Sequence, residues 1–196
     1  TGEVPIDSLK ASWLVYGRGF VQHRTRIITK RIFDMLSSAF LLTLASPVML
    51  ITMIAIKLES KGPIIYRQER VGLGGRSFMC LKFRSMRVDA ESNGAQWAVK
   101  GDARVTRVGD FMRKTRVDEL PQLLNVVKGD MSLVGPRPAL PNEADQWDDT
   151  LWERLRVQPG ITGMWQVSGR YTASLETYAR LDLYYVDNWS LITDLA

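Results

Sequence analysis

The sequence predicts a helix-rich α+β protein with a membrane-associated helix near its N-terminus. From Met35 to Ile56 the chain has no charged side chain. Beyond this segment, glycine-containing turns separate two short apolar stretches, and several longer stretches carry apolar residues at helical spacing. Strand and helix patterns do not alternate along the chain. A small sheet packed among helices is therefore expected instead of a βαβ architecture.

The uncharged segment is long enough to cross the hydrocarbon core of a bilayer, which takes roughly 20 helical residues. Pro47, near its middle, removes a backbone donor and favours a kink. Basic residues flank both ends, whereas the positive-inside tendency loads one end of a straight spanning helix. We therefore predict a re-entrant membrane helix over residues 30–57 that is broken at Ser46–Pro47, with the Ser46 hydroxyl bonding to backbone groups freed there. A straight spanning helix and a buried core helix with a proline kink are the alternatives.

The rest of the chain divides around this helix. Residues 1–29 mix aromatic, apolar and basic side chains and are interpreted as a linker or an interfacial segment. Residues 58–196 carry the remaining helix and strand patterns and are predicted to form one folded domain. Because the chain begins at Thr1 and shows no signal-peptide pattern, we interpret it as a piece of a longer protein.

Turn signals in the domain bound a predicted β-hairpin whose strands are Ile64–Tyr66 and Ser77–Leu81. A polar, glycine-containing stretch over 89–102 is predicted to be a mobile loop. Helices are predicted in four segments: 104–114, from near Asp118 to Lys128 with Gly129 as a left-handed cap, 143–157, and 175–185.

The composition excludes several classes of site. The single cysteine, Cys80, rules out an internal disulfide framework and a cysteine-ligated zinc site, and its apolar surroundings predict a buried side chain. The single histidine, His23, lies in a basic stretch and is predicted to be a surface residue. The net charge of +5 indicates anionic partners. No aromatic–basic stacking pattern or groove-reading motif accompanies this charge, so a nucleic-acid partner is not expected.

Asp118 and Glu119 are the first candidates for chemistry. Neighbours on a helix point about 100° apart, which favours separate roles over a shared acid–base couple. A helix N-terminus and the nearby Arg113 and Arg116 are expected to lower the pKa of Asp118. An ionised aspartate is a competent nucleophile toward phosphorus. The alternative is that Asp118 only caps its helix and that Glu119 is a surface charge.

Two further groups are basic. Lys82 and Arg84 lie in a cluster directly after the second predicted strand, and both are candidates for binding phosphate. Arg137 stands between Pro136 and Pro138, which hold it in a stiff extended segment. Rigid presentation of a guanidinium suits the recognition of phosphate or carboxylate groups. A structural ion pair is the alternative role for Arg137.

Six blocks occur in order along the chain: Arg31–Asp34, Ser46–Pro47, Lys82–Met86, Asp118–Leu123, Gly129–Pro138 and Pro159–Gly163. Their combination resembles the bacterial sugar transferase family, the monotopic polyprenyl-phosphate phosphoglycosyl transferases. The resemblance runs from about Lys30 to the C-terminus.

The resemblance implies a re-entrant helix broken at Ser46–Pro47 and a covalent mechanism with Asp118 as the nucleophile. Asp118 is then expected to attack the sugar-linked phosphorus of a UDP-sugar, releasing UMP. Polyprenyl (undecaprenyl) phosphate is expected to take the sugar phosphate from the aspartyl intermediate. The sugar itself is not implied by any residue of the sequence.

Further site residues follow from the same resemblance. Glu119 is implied to assist in placing Mg²⁺. Arg113 and Arg137 match positions that the family uses to recognise phosphate and nucleotide, and Lys82 and Asp182 match other active-site positions.

The resemblance also implies a bacterial inner membrane protein whose residues 58–196 form a catalytic domain on the cytoplasmic face and initiate polysaccharide or glycoconjugate synthesis. The phospholipid membrane is then a partner, and a homo-oligomer is left open. Gln158 departs from the family, which often has arginine or lysine before the Pro-Gly-Ile-Thr-Gly run. If that basic residue contacts phosphate, Arg154 or Arg156 must replace it, or the contact is absent.

Overall fold

The computed structural model describes residues 24–90, 102–167 and 175–195, and the structural statements below concern these residues. It confirms the helix-rich α+β class, because a long helix precedes a domain of shorter helices packed around two small sheets. His23 and most of the predicted linker over 1–29 lie outside the described residues, as does most of the predicted mobile loop.

The long helix α1 (Arg24–Glu59) has 36 residues, which corresponds to about 54 Å at 1.5 Å per residue. By length and composition it is able to cross a membrane. The side chains of Phe40, Leu44 and Ile51 in its middle expose 68%, 67% and 68% of their surface. The alternative of a buried core helix is therefore wrong. The helix also includes residues 24–29, which the sequence had assigned to the linker.

Pro47 lies inside α1 and does not end it, so the break predicted at Ser46–Pro47 does not take the form of an interruption of the helix. In a regular helix the N–H of residue 47 would donate to the carbonyl of Thr43, and proline has no such hydrogen. The Ser46 hydroxyl donates to that carbonyl oxygen instead, at 2.8 Å. The helix continues because a side-chain donor replaces the missing backbone donor, as expected for Ser46.

The predicted hairpin is confirmed and is longer than predicted. β1 (Ile65–Val71) pairs antiparallel with β2 (Ser77–Phe83) along the full length of both strands. A 3₁₀ turn over Leu73–Gly75 joins them, with Gly74 at a φ of 62°, which residues with a Cβ seldom adopt. Glycine at this position allows the tight connection.

The helix predicted over 104–114 is confirmed as α2 (Arg107–Thr115). Thr106 caps its N-terminus, because the hydroxyl accepts the Gly109 N–H at 2.9 Å. Gly109 also permits a close approach, since a Cβ at this position would lie 2.0 Å from the carbonyl oxygen of Ser85. α2 is therefore fixed against the residues that follow β2.

The helix predicted from near Asp118 begins later in the structure. Asp118 lies in a 3₁₀ turn over Val117–Glu119, whose backbone bonds join residues three apart. α3 (Gln122–Lys128) follows this turn. Gly129 ends α3 in the left-handed conformation, at a φ of 98°, as predicted.

A second sheet was not predicted from the sequence. It pairs β3 (Ser132–Val134) in parallel with β4 (Gly160–Thr162). Each strand has only three residues, so neither carries an alternation long enough to indicate a strand. The strands meet closely at glycines, since a Cβ on Gly160 would lie 2.1 Å from the backbone nitrogen of Gly135. This approach brings the residues that follow β3 beside β4.

The helix predicted over 143–157 is wrong as a single helix. α4 (Pro141–Ala144) and α5 (Asp149–Trp152) occupy this region instead. Between them Asp148 is extended, and its carboxylate accepts the Leu151 N–H at 2.9 Å, which begins a new helix. The remaining elements are a 3₁₀ turn (Glu153–Arg156), α6 (Met164–Val167), α7 (Leu175–Asn188) and α8 (Leu191–Leu195). α7 confirms the last predicted helix.

Both ends of α1 are bound to the domain. Near the N-terminal end, the Asp34 carboxylate accepts Ser132 Oγ at 2.7 Å and the Leu133 N–H at 3.3 Å. Arg31 donates to carbonyl oxygens in the last turn of α3. At the other end, the Glu59 carboxylate accepts the first N–H groups of α2. The helix is thus attached at both ends and exposed in its middle.

The C-terminal end of α1 also enters the core. Ile56 packs there against Phe83 from β2 and Met112 from α2. A neighbouring cluster contains Cys80 and Val126, which confirms the buried position predicted for the cysteine. The hairpin, α1, α2 and α3 therefore share one packed region beside the site described next.

Candidate active site

A cleft opens where the end of β2, the 3₁₀ turn after α2, and β4 meet. It encloses about 290 Å³, including its open mouth. Three cationic side chains and one carboxylate contribute to its lining, which comprises Arg70, Cys80, Lys82, Glu119, Gln122, Arg137, Pro138, Gly160, Ile161 and Gln166. The structure therefore brings together three residues predicted from the sequence, Lys82, Glu119 and Arg137.

The contact between β2 and α3 explains how Lys82 and Glu119 meet. The buried amide of Asn125 accepts the Leu81 N–H at 3.0 Å and donates to the carbonyl of Met79 at 2.8 Å. This side chain bonds to the edge of β2 as another strand would. It fixes α3, and the turn before it, alongside β2. Lys82 Nζ then lies 3.1 Å from Glu119 Oε1.

Asp118, the predicted nucleophile, is adjacent to this lining and is only 8% exposed. Burial raises the pKa of Asp118 above its usual range, and the charge of Glu119 raises it further. The cations Lys82, Arg116 and Arg113 oppose this shift without reversing it. The predicted lowering of the pKa is therefore wrong, because desolvation and a neighbouring carboxylate outweigh the cations. The 3₁₀ turn also deprives Asp118 of the α-helix N-terminus that was expected to favour its ionised form.

The pKa of Glu119 moves in the opposite direction. Burial alone would raise it, but the ammonium of Lys82 and the guanidinium groups of Arg116 and Arg137 lower it on balance. With a side chain only 13% exposed, Glu119 is not the surface charge of the alternative interpretation. Neighbouring carboxyl groups whose pKa values are pushed apart are suited to separate chemical roles.

Two arginines approach this pair from the end of α2. Arg113 Nε donates to Ser85 Oγ at 2.9 Å, which ties the side chain to the segment after β2. Arg116 Nη1 lies 3.5 Å from Glu119 Oε1. Its φ of 61° is uncommon for a residue with a Cβ. This conformation ends α2 and turns the chain toward Asp118.

Arg137 reaches the cleft from the segment that follows β3. Pro136 and Pro138 on either side are buried, whereas Arg137 is half-buried. The Gly160 N–H donates to the carbonyl of Pro136 at 2.9 Å, which holds the segment beside β4. Arg137 and Glu119 line the same cleft, and the charge of Arg137 contributes to the lowered pKa of Glu119.

Arg84 lies away from the lining, in contrast to its predicted phosphate-binding role. Its guanidinium donates to the carbonyl oxygens of Ser60 and Lys61, at 3.0 and 3.1 Å, and to Ser60 Oγ at 2.9 Å. β2 ends at Phe83, so the strand alternation that would place Lys82 and Arg84 on one face stops between them. Arg84 instead fixes the segment after α1 to the end of β2.

Asp182 also lies away from the lining. It is buried in α7 and pairs with Arg154 at 2.6 Å. Burial raises the pKa of Asp182 to about 6, against the opposing charge and hydrogen bonds of Arg154. The rings of Tyr178 and Trp147 lie over the same guanidinium, with centroids 4.5 and 4.8 Å away. The association of Asp182 with the cleft is indirect, because Arg154 also donates to the carbonyl of Arg137 at 3.3 Å.

Three polar residues of the lining were not predicted from the sequence: Arg70, Gln122 and Gln166. Arg70 lies in β1 and is buried, with bonds to Gln68 and Pro138. Arginines in strands are mostly exposed, and only burial distinguishes this one. A single sequence therefore carried no signal for it.

Gln158, the departure from the family pattern, has a structural bond, since its Nε2 donates to the carbonyl of Gly129 at 2.6 Å. Neither basic residue considered as a replacement lines the cleft. Arg154 is held in its buried pair, and Arg156 pairs with Glu153 at 2.8 Å on the surface.

Asp118 and Glu119 are the carboxyl groups at hand for a metal ion beside the cleft. Within the described part of the chain, the buried Asp118 Oδ1 has no hydrogen-bond partner. Over those same residues, no three or more His, Cys, Asp or Glu side chains converge on a common point. Mg²⁺ is commonly held by one or two carboxylates together with substrate phosphates and water. The Glu119 carboxylate fits that mode of binding, with the remaining ligands supplied by phosphate and water.

Several curated proteins are similar in sequence to this chain. The chain is 45% identical over 201 residues to UDP-N-acetylgalactosamine-undecaprenyl-phosphate N-acetylgalactosaminephosphotransferase of Aeromonas hydrophila, which covers 100% of the chain and 47% of the relative. It is 42% identical over 188 residues to undecaprenyl-phosphate galactose phosphotransferase of Salmonella typhimurium, covering 88% and 39%. It is 42% identical over 183 residues to exopolysaccharide production protein ExoY of Sinorhizobium fredii, covering 86% and 81%.

The alignments cover most of this chain but different shares of the relatives. The chain spans less than half the length of the Aeromonas and Salmonella relatives, although it spans most of the Sinorhizobium one. The family model described as Bacterial sugar transferase matches residues 25–196, which include all of the long helix except Arg24 and every residue of the candidate site. The chain therefore belongs to the bacterial sugar transferase family.

Proposed function

We propose that this chain transfers a sugar 1-phosphate from a UDP-sugar to polyprenyl (undecaprenyl) phosphate and so initiates the synthesis of a bacterial polysaccharide or glycoconjugate. The observation that carries the proposal is the pair Asp118 and Glu119, whose opposed pKa shifts occur beside a cationic cleft. The substrate classes are supported by two relatives whose names combine undecaprenyl phosphate with a sugar phosphotransferase.

Asp118 is the nucleophile in this proposal. A carboxylate oxygen attacks the sugar-linked phosphorus of the UDP-sugar, the bond from that phosphorus to the bridging oxygen breaks, and UMP leaves with the electron pair. An oxygen of polyprenyl phosphate then attacks the same phosphorus, and the Asp118 carboxylate leaves. The products are a polyprenyl-diphosphate sugar and the regenerated enzyme. Because intrinsic nucleophilicity falls as the pKa of a group falls, the raised pKa of Asp118 makes its ionised carboxylate a stronger nucleophile.

The cations around the cleft offset the negative charges that meet during the reaction. Lys82 and Arg137 line the cleft, and Arg113 acts on Asp118 from α2. Glu119 would hold Mg²⁺, which leaves the Asp118 carboxylate available to attack. That ion supplies further neutralisation of the diphosphate when bound. The lowered pKa of Glu119 keeps its carboxylate ionised for this purpose.

We also propose that α1 enters the inner membrane from the cytoplasmic face and returns to it, with the catalytic domain in the cytoplasm. Two features support this path. Asp34 and Glu59 bind opposite ends of α1 to the same domain. The apolar side chains of Phe40, Leu44 and Ile51 between them are exposed. A cleft held at the membrane surface is accessible to the phosphate of a lipid acceptor.

Release of UMP tests the activity. Detergent-solubilised protein is supplied with polyprenyl phosphate, Mg²⁺ and a panel of UDP-sugars that includes galactose and N-acetylgalactosamine donors. UMP is expected with at least one donor, which also identifies the sugar. The absence of UMP with every donor, under conditions in which a related transferase is active, overturns the proposal.

Asp118→Asn tests the nucleophile. It is expected to abolish UMP release, because the amide retains the size of the carboxylate but cannot form the phosphoaspartyl bond. Asp110→Asn is the matched control, since Asp110 is exposed on α2, pairs with Lys114 at 2.5 Å and does not line the cleft. Substantial turnover by Asp118→Asn, with the control unchanged, removes Asp118 as the nucleophile.

Cysteine labelling tests the path of α1. Single cysteines are introduced at Arg26 and Lys61, both exposed, in a Cys80→Ser background. An impermeant thiol reagent is expected to reach both positions in inside-out membrane vesicles and neither in intact spheroplasts. Labelling from opposite faces contradicts the re-entrant path and supports a straight spanning helix.

A further inference from the structure

The segment that carries Arg137 lacks half of its backbone donors, because Pro136 and Pro138 have no N–H. It is held mainly through its carbonyl groups. Backbone N–H groups of β4 and β1 bind the carbonyls of Pro136 and Ala139, each at 2.9 Å. The two carbonyls between them, those of Arg137 and Pro138, are bound by side chains from other parts of the chain.

Arg154 binds the first of these carbonyls, since its Nη2 donates to Arg137 O at 3.3 Å. Its guanidinium is held from several sides. The Asp182 carboxylate accepts Nε and Nη2 at 2.9 and 2.6 Å. Nη2 has two hydrogens, so the Tyr178 hydroxyl and the Arg137 carbonyl share the second one. The rings of Tyr178 and Trp147 lie over the guanidinium. A side chain with so little freedom fixes the carbonyl that it binds.

Arg70 binds the second carbonyl, with Nη1 donating to Pro138 O at 3.0 Å. Its Nε and Nη2 both donate to Gln68 Oε1, at 3.2 and 2.6 Å. These acceptors are neutral, and burial together with the charge of Arg137 lowers the pKa of Arg70. Arg70 and Arg137 line one cleft, and the bonds of Arg70 to Gln68 and Pro138 hold its guanidinium against the segment that carries Arg137.

We propose that Arg70 and Arg154 are positioning residues, which act through the carbonyls of Arg137 and Pro138 to hold the Arg137 guanidinium in place for the diphosphate of the nucleotide sugar. The inference rests on the proposed function, which supplies the diphosphate. Neither side chain has to touch the substrate in this role. Donors that are already in position bind more tightly because no reordering accompanies binding.

Substitution by lysine separates charge from geometry. Lysine keeps the positive charge, but its single ammonium cannot reproduce the planar set of donors. In Arg154 that set binds Asp182 and the Arg137 carbonyl together, and in Arg70 it binds Gln68 and the Pro138 carbonyl together. Arg154→Lys and Arg70→Lys therefore loosen the segment while the charge is retained.

A double-mutant cycle with Arg137→Ala tests the proposal. In the otherwise native chain, Arg154→Lys and Arg70→Lys are each expected to weaken binding of UDP and to lower kcat/KM for UMP release by about ten- to hundredfold, the range for misplaced binding groups. In the Arg137→Ala background the same substitutions are expected to have little further effect, because the group that they position is gone. Calorimetry with UDP on solubilised protein gives the binding constants.

Arg84→Lys is the matched control. Arg84 is also buried and also binds two consecutive carbonyls, but these belong to Ser60 and Lys61 and not to the Arg137 segment. Its substitution is expected to change UDP binding and kcat/KM by the same factor with and without Arg137. A general loss of stability behaves in this additive way, so the control separates it from positioning.

Tyr178→Phe covers the case in which Arg154→Lys does not fold. It removes the hydroxyl that accepts Arg154 Nη2 and retains the ring over the guanidinium. A smaller loss in the same direction is expected, and it is also expected to disappear in the Arg137→Ala background.

The outcomes separate this inference from the proposed function. Equal factors in both backgrounds for Arg70→Lys and Arg154→Lys overturn the positioning role, and so does unchanged UDP binding in Arg137→Ala. Either result is compatible with UMP release by the native chain. UDP binding that is coupled to Arg137, in a protein that releases no UMP, supports the positioning role and overturns the proposed function.

Discussion

Asp118 and Glu119 are neighbours that share Lys82 and Arg116 as cationic surroundings, yet their pKa values move in opposite directions. Glu119 lies 3.1 Å from the ammonium of Lys82, and the attraction of the surrounding cations outweighs its burial. At Asp118 burial prevails, and Glu119 adds a second unfavourable charge. The cations could be identified in the sequence. Their effect could not be weighed against burial, which exists only in the folded chain.

Arg116→Asn is expected to move the acid limb of the pH–rate profile for UMP release to higher pH. Asp118 must be ionised to attack, so activity falls as the pH drops through its pKa. The charge of Arg116 holds that pKa down, and its removal raises it. Asparagine tolerates the left-handed backbone at this position.

Lys114→Asn is the control for this shift. Lys114 is exposed and pairs with Asp110, and it is not among the charges that act on Asp118. The acid limb of the pH–rate profile of Lys114→Asn is expected to coincide with that of the native protein. If the limb also stays in place in Arg116→Asn, ionisation of Asp118 does not limit the reaction at low pH.

Among the helices and strands, α1 depends on a side-chain hydrogen-bond donor that replaces a missing backbone donor. Pro47 leaves the Thr43 carbonyl without its backbone partner, and the Ser46 hydroxyl takes that place at 2.8 Å. An unsatisfied carbonyl is costlier in a bilayer than in water, where solvent binds it. Ser46 and Pro47 therefore act as one unit, which is why the helix remains continuous at a residue that commonly ends helices.

Ser46→Ala is expected to destabilise the protein by about 1 kcal/mol, the usual contribution of one hydrogen bond, as long as residue 47 is proline. After Pro47→Ala the same change is expected to have little effect, because the restored N–H of residue 47 donates to Thr43. Thermal unfolding of the four combinations in detergent measures the difference.

Thr52→Val is the comparison for α1, because the Thr52 hydroxyl donates to the carbonyl of Val48 at 2.8 Å without a proline involved. Its effect is expected to be the same with proline or alanine at position 47. A loss from Ser46→Ala that is also independent of residue 47 contradicts the replacement of the backbone donor.

At the level of the whole molecule, an apolar helix that is exposed in its middle is attached to the domain by specific hydrogen bonds and by the packing of Ile56 in the core. The Asp34 carboxylate is 1% exposed and binds Ser132 and Leu133 in β3, and it lies 3.8 Å from Lys30. β3 leads directly into the segment that carries Arg137. Attachment of α1 and placement of the cleft therefore share one strand.

Asp34→Ala is expected to lower the free energy of unfolding by about 3–5 kcal/mol, because the buried carboxylate accepts bonds from Ser132 and Leu133 and each bond to a charged group contributes about 1.5–3 kcal/mol. Ser132→Ala removes only one of these bonds and is expected to lower it by about 1.5–3 kcal/mol. Denaturant unfolding in detergent, followed by circular dichroism, compares the two variants. Similar losses from both would show that Asp34 contributes no more than its bond to Ser132.

Features that depend on neighbouring residues could be predicted from the sequence. These include the uncharged course of α1, the hairpin around Gly74, the end of α3 at Gly129, and the blocks that place the chain in its family. Each is encoded by residue types within a few positions of one another. The three-residue strands β3 and β4 were beyond this kind of inference, because their pairing joins residues far apart in the chain.

The set of polar residues that form the site depends on contacts between distant parts of the chain. Arg84 and Asp182 do not line the cleft, whereas Arg70 does, and its hydrogen-bond partner Pro138 is 68 residues away. The pKa of Asp118 is raised, although the sequence had indicated that it would be lowered. The physical reason is common to these cases. Burial and hydrogen-bond partners are supplied by segments distant in sequence, and they decide whether a charged side chain binds a ligand or supports the backbone.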